Sequence, residues 1–147
     1  ISAAASDVYK RQDEEKMEGR YMHTFDDLVH IIDELRSEHG CPWDKEQTHE
    51  SLKVCLANES QEVYDAIDNQ DMENLCEELG DILLQVMLHS QIAKEEGAFT
   101  IDDVVDGVCR KMIRRHPHVF GDVKVNSVEE GLALWNAIKK QEKAEKP

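Results

Sequence analysis

No apolar run in this 147-residue chain approaches the about 20 residues that cross a bilayer, and no charged-then-apolar segment opens it, so neither membrane insertion nor secretion is expected. Cysteine is scarce: Cys41, Cys55, Cys76 and Cys109 stand singly, without the C-x-x-C spacing of a structural zinc or redox site, and read as reduced thiols, most of them core filler. Of the seven histidines only His49, in an E-x-x-H at 46–49, and the H-P-H at 116–118 have a ligand spacing. A di-iron bundle needs two E-x-x-H motifs, which makes a histidine-ligated metal a poor fit. Sustained period-2 alternation is missing throughout, which leaves strands without support. Basic residues are few, 17 Lys+Arg against 32 Asp+Glu for a net charge of −15. A polyanion repels a phosphate backbone, which excludes a general nucleic-acid binder. A phosphate-bearing partner must be small, metal-bridged, or held by a local basic patch.

What is present is a helix-forming chain. Apolar residues make up 40% of it, enough for a core that hides roughly two-thirds of the unfolded chain's surface, and the length fits one domain. Residues 1–21 show no apolar periodicity, and SAAASDVYKRQ within them resembles a stray translated adaptor. We expect a disordered or non-native leader there, with Met17 or Met22 the more natural start and the folded domain over 22–147. From Thr24, an N-cap, the pattern is helical: Phe25, Leu28, Val29, Ile31, Ile32 and Leu35 share a face, and Gly40 ends the segment. Asp44 with Gln47 has the form of a capping box opening a second helix to about Asn69. Asp71 caps a third, reaching about Glu96 and stopped by Gly97. Thr100 or Asp102 starts a fourth, with the stripe Ile101, Val104, Val105, Val108, Met112 and an end at Pro117. Ser127 and Glu130 box a fifth, which carries Val128, Leu132, Trp135 and Ile138. Five helices predict an all-α bundle. The third is apolar nearly all round between Leu79 and Leu88, more surface than a monomer of this size covers, and predicts a two-fold homodimer.

Two helices carry acids where the core should be. At 100° per residue Glu59 falls amid Leu52, Cys55, Leu56, Val63 and Ala66, with Glu62 on the same side; Glu78 lies between Leu75 and Ile82, with Asp81 three residues on. Unpaired ions in low dielectric are penalised by several kcal/mol, so a cation must be near. Ion pairing with Lys or Arg at the helix edges is one reading; a metal site is the other, and two such pairs on successive helices favour it. Oxygen-only ligation selects Mg²⁺ or Mn²⁺ before Zn²⁺. Lys111 and Arg115, an i, i+4 pair on the fourth helix, can reach phosphate oxygens or simply complement the helix dipole at a solvated end. Arg114 points further from the stripe. Trp43 and Trp135 fit the core or a base-stacking platform.

The blocks GCPWDKEQTHESL at 40–52, E-S-Q-E at 59–62, E-L-G-D at 78–81, EEGAFTIDDV at 95–104, RRHPHVFGD at 114–122 and W-N-A-I-K-K-Q-E-K at 135–143 resemble the MazG family of nucleoside triphosphate pyrophosphohydrolases. The likeness covers residues 24–145. It implies Mg²⁺ ligands and catalytic acids at Glu59, Glu62, Glu78 and Asp81, phosphate contacts from Lys111 and Arg115, and nucleotide contacts near Trp135 and Lys139. It also implies a homodimer and hydrolysis of a nucleoside triphosphate to monophosphate and pyrophosphate, a cytoplasmic housekeeping reaction. The family's acidic motif usually reads E-E-x-x-E, and Asn58 stands at its first position here; off the core face, it is expected outside the ligand set. Two other readings compete: a catalytically weak metal- or nucleotide-binding helical module, and a sister pyrophosphohydrolase narrow for dUTP, dCTP or phosphoribosyl-ATP.

Overall fold

The computed structural model describes Lys10 and residues 22–147, so the rest of the expected leader lies outside the described residues. All regular structure among the described residues is helical, as the missing alternation requires. The chain divides into two compact units, one through Ile101 and the other Asp102–Pro147.

The first unit holds α1 (Phe25–Leu35), α2 (Pro42–Glu46), α3 (Lys53–Asp68) and α4 (Met72–Glu95). α1 opens on a full capping box: the Thr24 hydroxyl accepts from the Asp27 amide at 3.2 Å, and the Asp27 carboxylate accepts from the Thr24 amide at 2.9 Å. α1 ends at Leu35 rather than at Gly40. Gly40 instead permits a tight return of the backbone, since a Cβ there would sit 2.2 Å from the Leu35 carbonyl oxygen.

The expected Asp44–Gln47 box does not open the long helix. Pro42, whose missing N–H suits a first helical position, nucleates the short α2; Asp44 lies inside it and Gln47 caps its C-terminus. The entry to α3 is a reciprocal pair further on, with the Thr48 amide donating to the Ser51 hydroxyl at 2.9 Å and the Ser51 amide to the Thr48 hydroxyl at 3.1 Å.

α3 turns into α4 through a Schellman motif: the Asp71 amide reaches the Ala66 carbonyl at 3.0 Å and the Gln70 amide the Ile67 carbonyl at 3.0 Å. Gln70 occupies the left-handed position at φ 53°. The Asp71 carboxylate then accepts from the Asn74 amide at 3.0 Å and caps α4 as expected. Gly97, at φ 72°, closes α4 with the same device.

The core of this unit is Ile32 of α1, Leu52, and Met87, Leu88 and Ile92 of α4, with Leu28, Val29, Leu35, Cys55, Leu84 and Ile101 packed against it. Each buried aliphatic side chain contributes about 1.5–3 kcal/mol. Arg36 ties the connecting segment down: Nε and Nη2 donate to Glu95 at 2.9 and 3.1 Å, and Nη1 donates to the carbonyls of Asp44 and Gln47.

The second unit comprises α5 (Ile101–Arg115, whose first residue belongs to the preceding unit), α6 (Pro117–Phe120) and α7 (Val128–Glu145). Pro117 both stops α5 and starts α6. Ser127 caps α7 by accepting from the Glu130 amide at 3.1 Å, while the Glu130 carboxylate reaches one residue further out than a capping box requires, to the Asn126 amide at 2.7 Å. The cysteines are free thiols; Cys41 and Cys55 are half-buried, but Cys76 and Cys109 are exposed and fill no core in this chain.

Candidate functional site

α3 and α4 run side by side from their tight turn, which places E-x-x-E opposite E-x-x-D. One oxygen from each of Glu59, Glu62, Glu78 and Asp81 lies within 4.8 Å of the other three. Glu78 is only 8% exposed, Glu59 and Asp81 are half-buried, and Glu62 opens to solvent. The Oε2 atoms of Glu59 and Glu78 are buried without a hydrogen-bond partner. Among the described residues no Lys or Arg forms an ion pair with any of the four.

The electrostatics follow from the crowding. Close side-chain approach to Glu62, then burial, then the charges of Glu62, Asp81 and Glu59 push the Glu78 carboxyl up to about 7. Burial first, then Asp81 and Glu62, raises Glu59 as well. Crowded carboxylates with orphaned oxygens and no countercharge fit a hard divalent cation, which accepts oxygen donors only and tolerates excess negative charge. Asn58 is solvent-exposed.

The cationic candidates lie in the second unit. Arg115 is 15% exposed at its side chain, with its Cζ 4.9 Å from the centre of the half-buried Trp135 ring. Its Nε and Nη2 donate to Oε2 of Glu142 at 3.2 and 2.8 Å, while Arg114, the residue set aside on the helical wheel, donates from Nε to Oε1 of the same carboxylate. Hydrogen bonds from Arg114 and Arg115 bring the Glu142 carboxyl down to about 2. Lys111 and Lys139 are exposed. Trp43 is exposed too, so the core reading fails for it.

Sequence reasoning missed Glu142, whose partners sit far away along the chain; its place in the W-N-A-I-K-K-Q-E-K block was the one available pointer. The histidines likewise depart from their spacings. His116 Nδ1 lies 2.6 Å from the Met112 carbonyl oxygen and closes α5. His49 meets His89 of α4, Nδ1 to Nδ1 at 2.8 Å, with ring centres 5.1 Å apart and planes within 3°. The centres are separated by about the nitrogen distance plus the two ring radii, so the rings meet end to end in one plane, as an N–H···N hydrogen bond requires.

A sequence model of the MazG nucleotide pyrophosphohydrolase domain matches residues 47–120. The chain is 55% identical to the uncharacterised protein YabN of Bacillus subtilis over 87% of its own length and 26% of that protein's. It is 52% identical to the nucleoside triphosphate pyrophosphohydrolase/pyrophosphatase MazG of Thermotoga maritima, over 83% of this chain and 46% of the relative. With the nucleoside triphosphate pyrophosphohydrolase of Escherichia coli K12 the identity is 44%, over 85% and 48%. The chain thus spans half or less of each of these three relatives. Among solved structures, a MazG-related protein from Thermotoga maritima superposes with a TM-score of 0.64 at 34% identity, covering 77% of this chain and 96% of the other.

Proposed function

This chain belongs to the MazG nucleotide pyrophosphohydrolase family, and on that footing we propose that its residues 22–147 form a domain that hydrolyses nucleoside triphosphates to monophosphate and pyrophosphate. The observation that carries this reading is the convergence of Glu59, Glu62, Glu78 and Asp81 with orphaned buried oxygens and no basic partner among the described residues. These four would hold Mg²⁺, or Mn²⁺ in its place. Bound there, the ion would lower the pKa of a water and offset negative charge on the phosphates.

The chain's own residues supply positioning. Four carboxylates fixed on two packed helices hold their oxygens in place before substrate arrives, so little reorganisation is needed during reaction. Water attacks the α-phosphorus and the bond from that phosphorus to the α–β bridging oxygen breaks. The attacking oxygen stays on the monophosphate, pyrophosphate leaves with the bridging oxygen, and a raised-pKa carboxylate is suited to receive the proton. Lys111 and Arg115 would hold the phosphates, with Trp135 and Lys139 beside the nucleotide. The groups named here engage phosphate and charge, which every nucleoside triphosphate carries, so selectivity among bases should be low.

The natural setting of this reaction is the cytoplasmic nucleotide pool. A homodimer is the form we propose, because Leu79, Leu83 and Val86 of α4 stay exposed in the single chain. The test is a pyrophosphate-release assay with Mg²⁺ over the eight common nucleoside triphosphates. Monophosphate and pyrophosphate in equal amounts are the expected products; diphosphate with orthophosphate would mean that a different bond is cut and would reject the reading.

A further inference from the structure

Glu142 has no part in the proposed reaction, yet it organises the cationic end of the second unit. Its side chain is 19% exposed and takes bonds from two guanidiniums. The geometry of Arg115 is constrained twice. Trp135 backs the guanidinium, whose Cζ stands over the indole ring 4.9 Å from its centre. Glu142 holds it from the side by engaging one edge, Nε and Nη2, at 3.2 and 2.8 Å. A guanidinium has a second edge, Nη1 with the remaining hydrogen of Nη2, and this end edge presents two parallel donors of the kind that grip a phosphate. A lone arginine on a helix end samples many rotamers; one locked on two sides offers a single fork.

The geometry points to Glu142 as a positioning residue, which locks Arg115 so that its end edge receives a phosphate group of the substrate. Arg114 shares the same carboxylate, leaving the trio with one net positive charge, enough to attract an anion without a buried excess. The inference rests on the pyrophosphohydrolase reading for the identity of the anion, and its geometry lies wholly within the second unit.

The probe is inorganic pyrophosphate with Mg²⁺, its affinity for the full chain measured by calorimetry, beside KM and kcat for ATP. Glu142→Gln should weaken pyrophosphate binding and raise KM about tenfold, as for one lost charge-assisted contact, with kcat little changed. Glu142→Asp, which keeps the charge, should fall between wild type and Gln. In an Arg115→Ala background Glu142→Gln should add nothing, because it acts through that arginine. Multiplying effects in the double variant, unchanged pyrophosphate affinity in Glu142→Gln, or no pyrophosphate binding by wild type would each overturn the assignment. If circular dichroism shows Glu142→Gln unfolded, Glu142→Asp alone and with Arg115→Ala makes the same distinction. A wild type that binds pyrophosphate in this pattern but hydrolyses no triphosphate removes the proposed reaction and keeps the positioning role.

Discussion

Glu78 sits nearly buried among three other acids, and its carboxyl titrates near 7 instead of near 4.5. Because its folded-state pKa lies above the unfolded one, the folded protein binds the proton more tightly. The associated stability is fully present at low pH and lost as pH rises from about 4.5 through about 7. Metal-free protein should therefore melt lower at pH 8 than at pH 5, and Mg²⁺ at pH 8 should restore the melting temperature through binding linkage. Glu78→Gln removes one of the repelling charges. At pH 8 without metal it should melt at least as high as wild type, while Mg²⁺-dependent pyrophosphate release collapses. Acids held in structural ion pairs would give the opposite pair of results, a lower melting temperature with near-normal turnover. The four acids are legible in the sequence for a simple reason: three-residue spacing on an apolar helix face is a local pattern. Arg36 and Glu142 are not legible there, because each finds its partners in other helices.

At the scale of elements, the same distinction separates the helix starts that the sequence displays from those it hides. Thr24, Asp71 and Ser127 cap helices through hydrogen bonds to residues three positions on, a spacing that can be read directly. Asp44 and Gln47 have the same spacing but follow Pro42, and the short helix it starts takes both residues before α3 begins. Between that short helix and α3, the segment is clasped to α4 by the coplanar His49–His89 bond. One proton occupies the line between the two nitrogens; protonating both rings sets N–H against N–H and parts them. Burial, and then the nearby His49, lowers the pKa of His89, so the clasp is stable at neutral pH and lost on acidification. The far nitrogen of His49 is engaged as well, with Nε2 3.6 Å from the Glu96 carboxylate. Amide hydrogen exchange over residues 47–52 should accelerate relative to α1 as the medium is acidified from neutrality, after correction for intrinsic rates, and His89→Asn should abolish that dependence. A pH-independent ratio would leave the pair without a linked proton.

Across the whole chain, the described residues include no helix long and apolar enough to cross a membrane, yet many large apolar side chains remain uncovered. In the first unit Leu56, Tyr64, Ile67, Met72, Leu79, Leu83 and Val86 are exposed, and in the second Val105, Val108, Ile113 and Leu132. Of the α5 stripe read from the sequence, Val105 and Val108 are exposed and Ile101, Val104 and Met112 half-buried. Exposure on this scale marks association surfaces. Sedimentation at micromolar concentration should give a dimer or a multiple of it, and Leu83→Asp, placed on the exposed side of α4, should shift the distribution toward monomer without loss of helix content. A wild-type monomer at that concentration would contradict the association. The sequence pointed to this through α4, whose apolar residues go all the way round; which of them the chain covers by itself depends on packing that no periodicity displays.

The turn at residues 69–71 has a kinetic consequence. All four acids lie between residues 59 and 81, on two helices joined by the shortest kind of helical connection, so the contacts that gather them are among the most local in the chain. Local contacts close quickly, because little loop entropy opposes them. The hairpin therefore brings its negative charges together early, before the more distant partner α1 has docked, and mutual repulsion acts on the folding barrier as well as on the finished protein. A divalent cation present during refolding should then speed the forward reaction, assisting the closure of α3 on α4 at a stage when most of the core is still open.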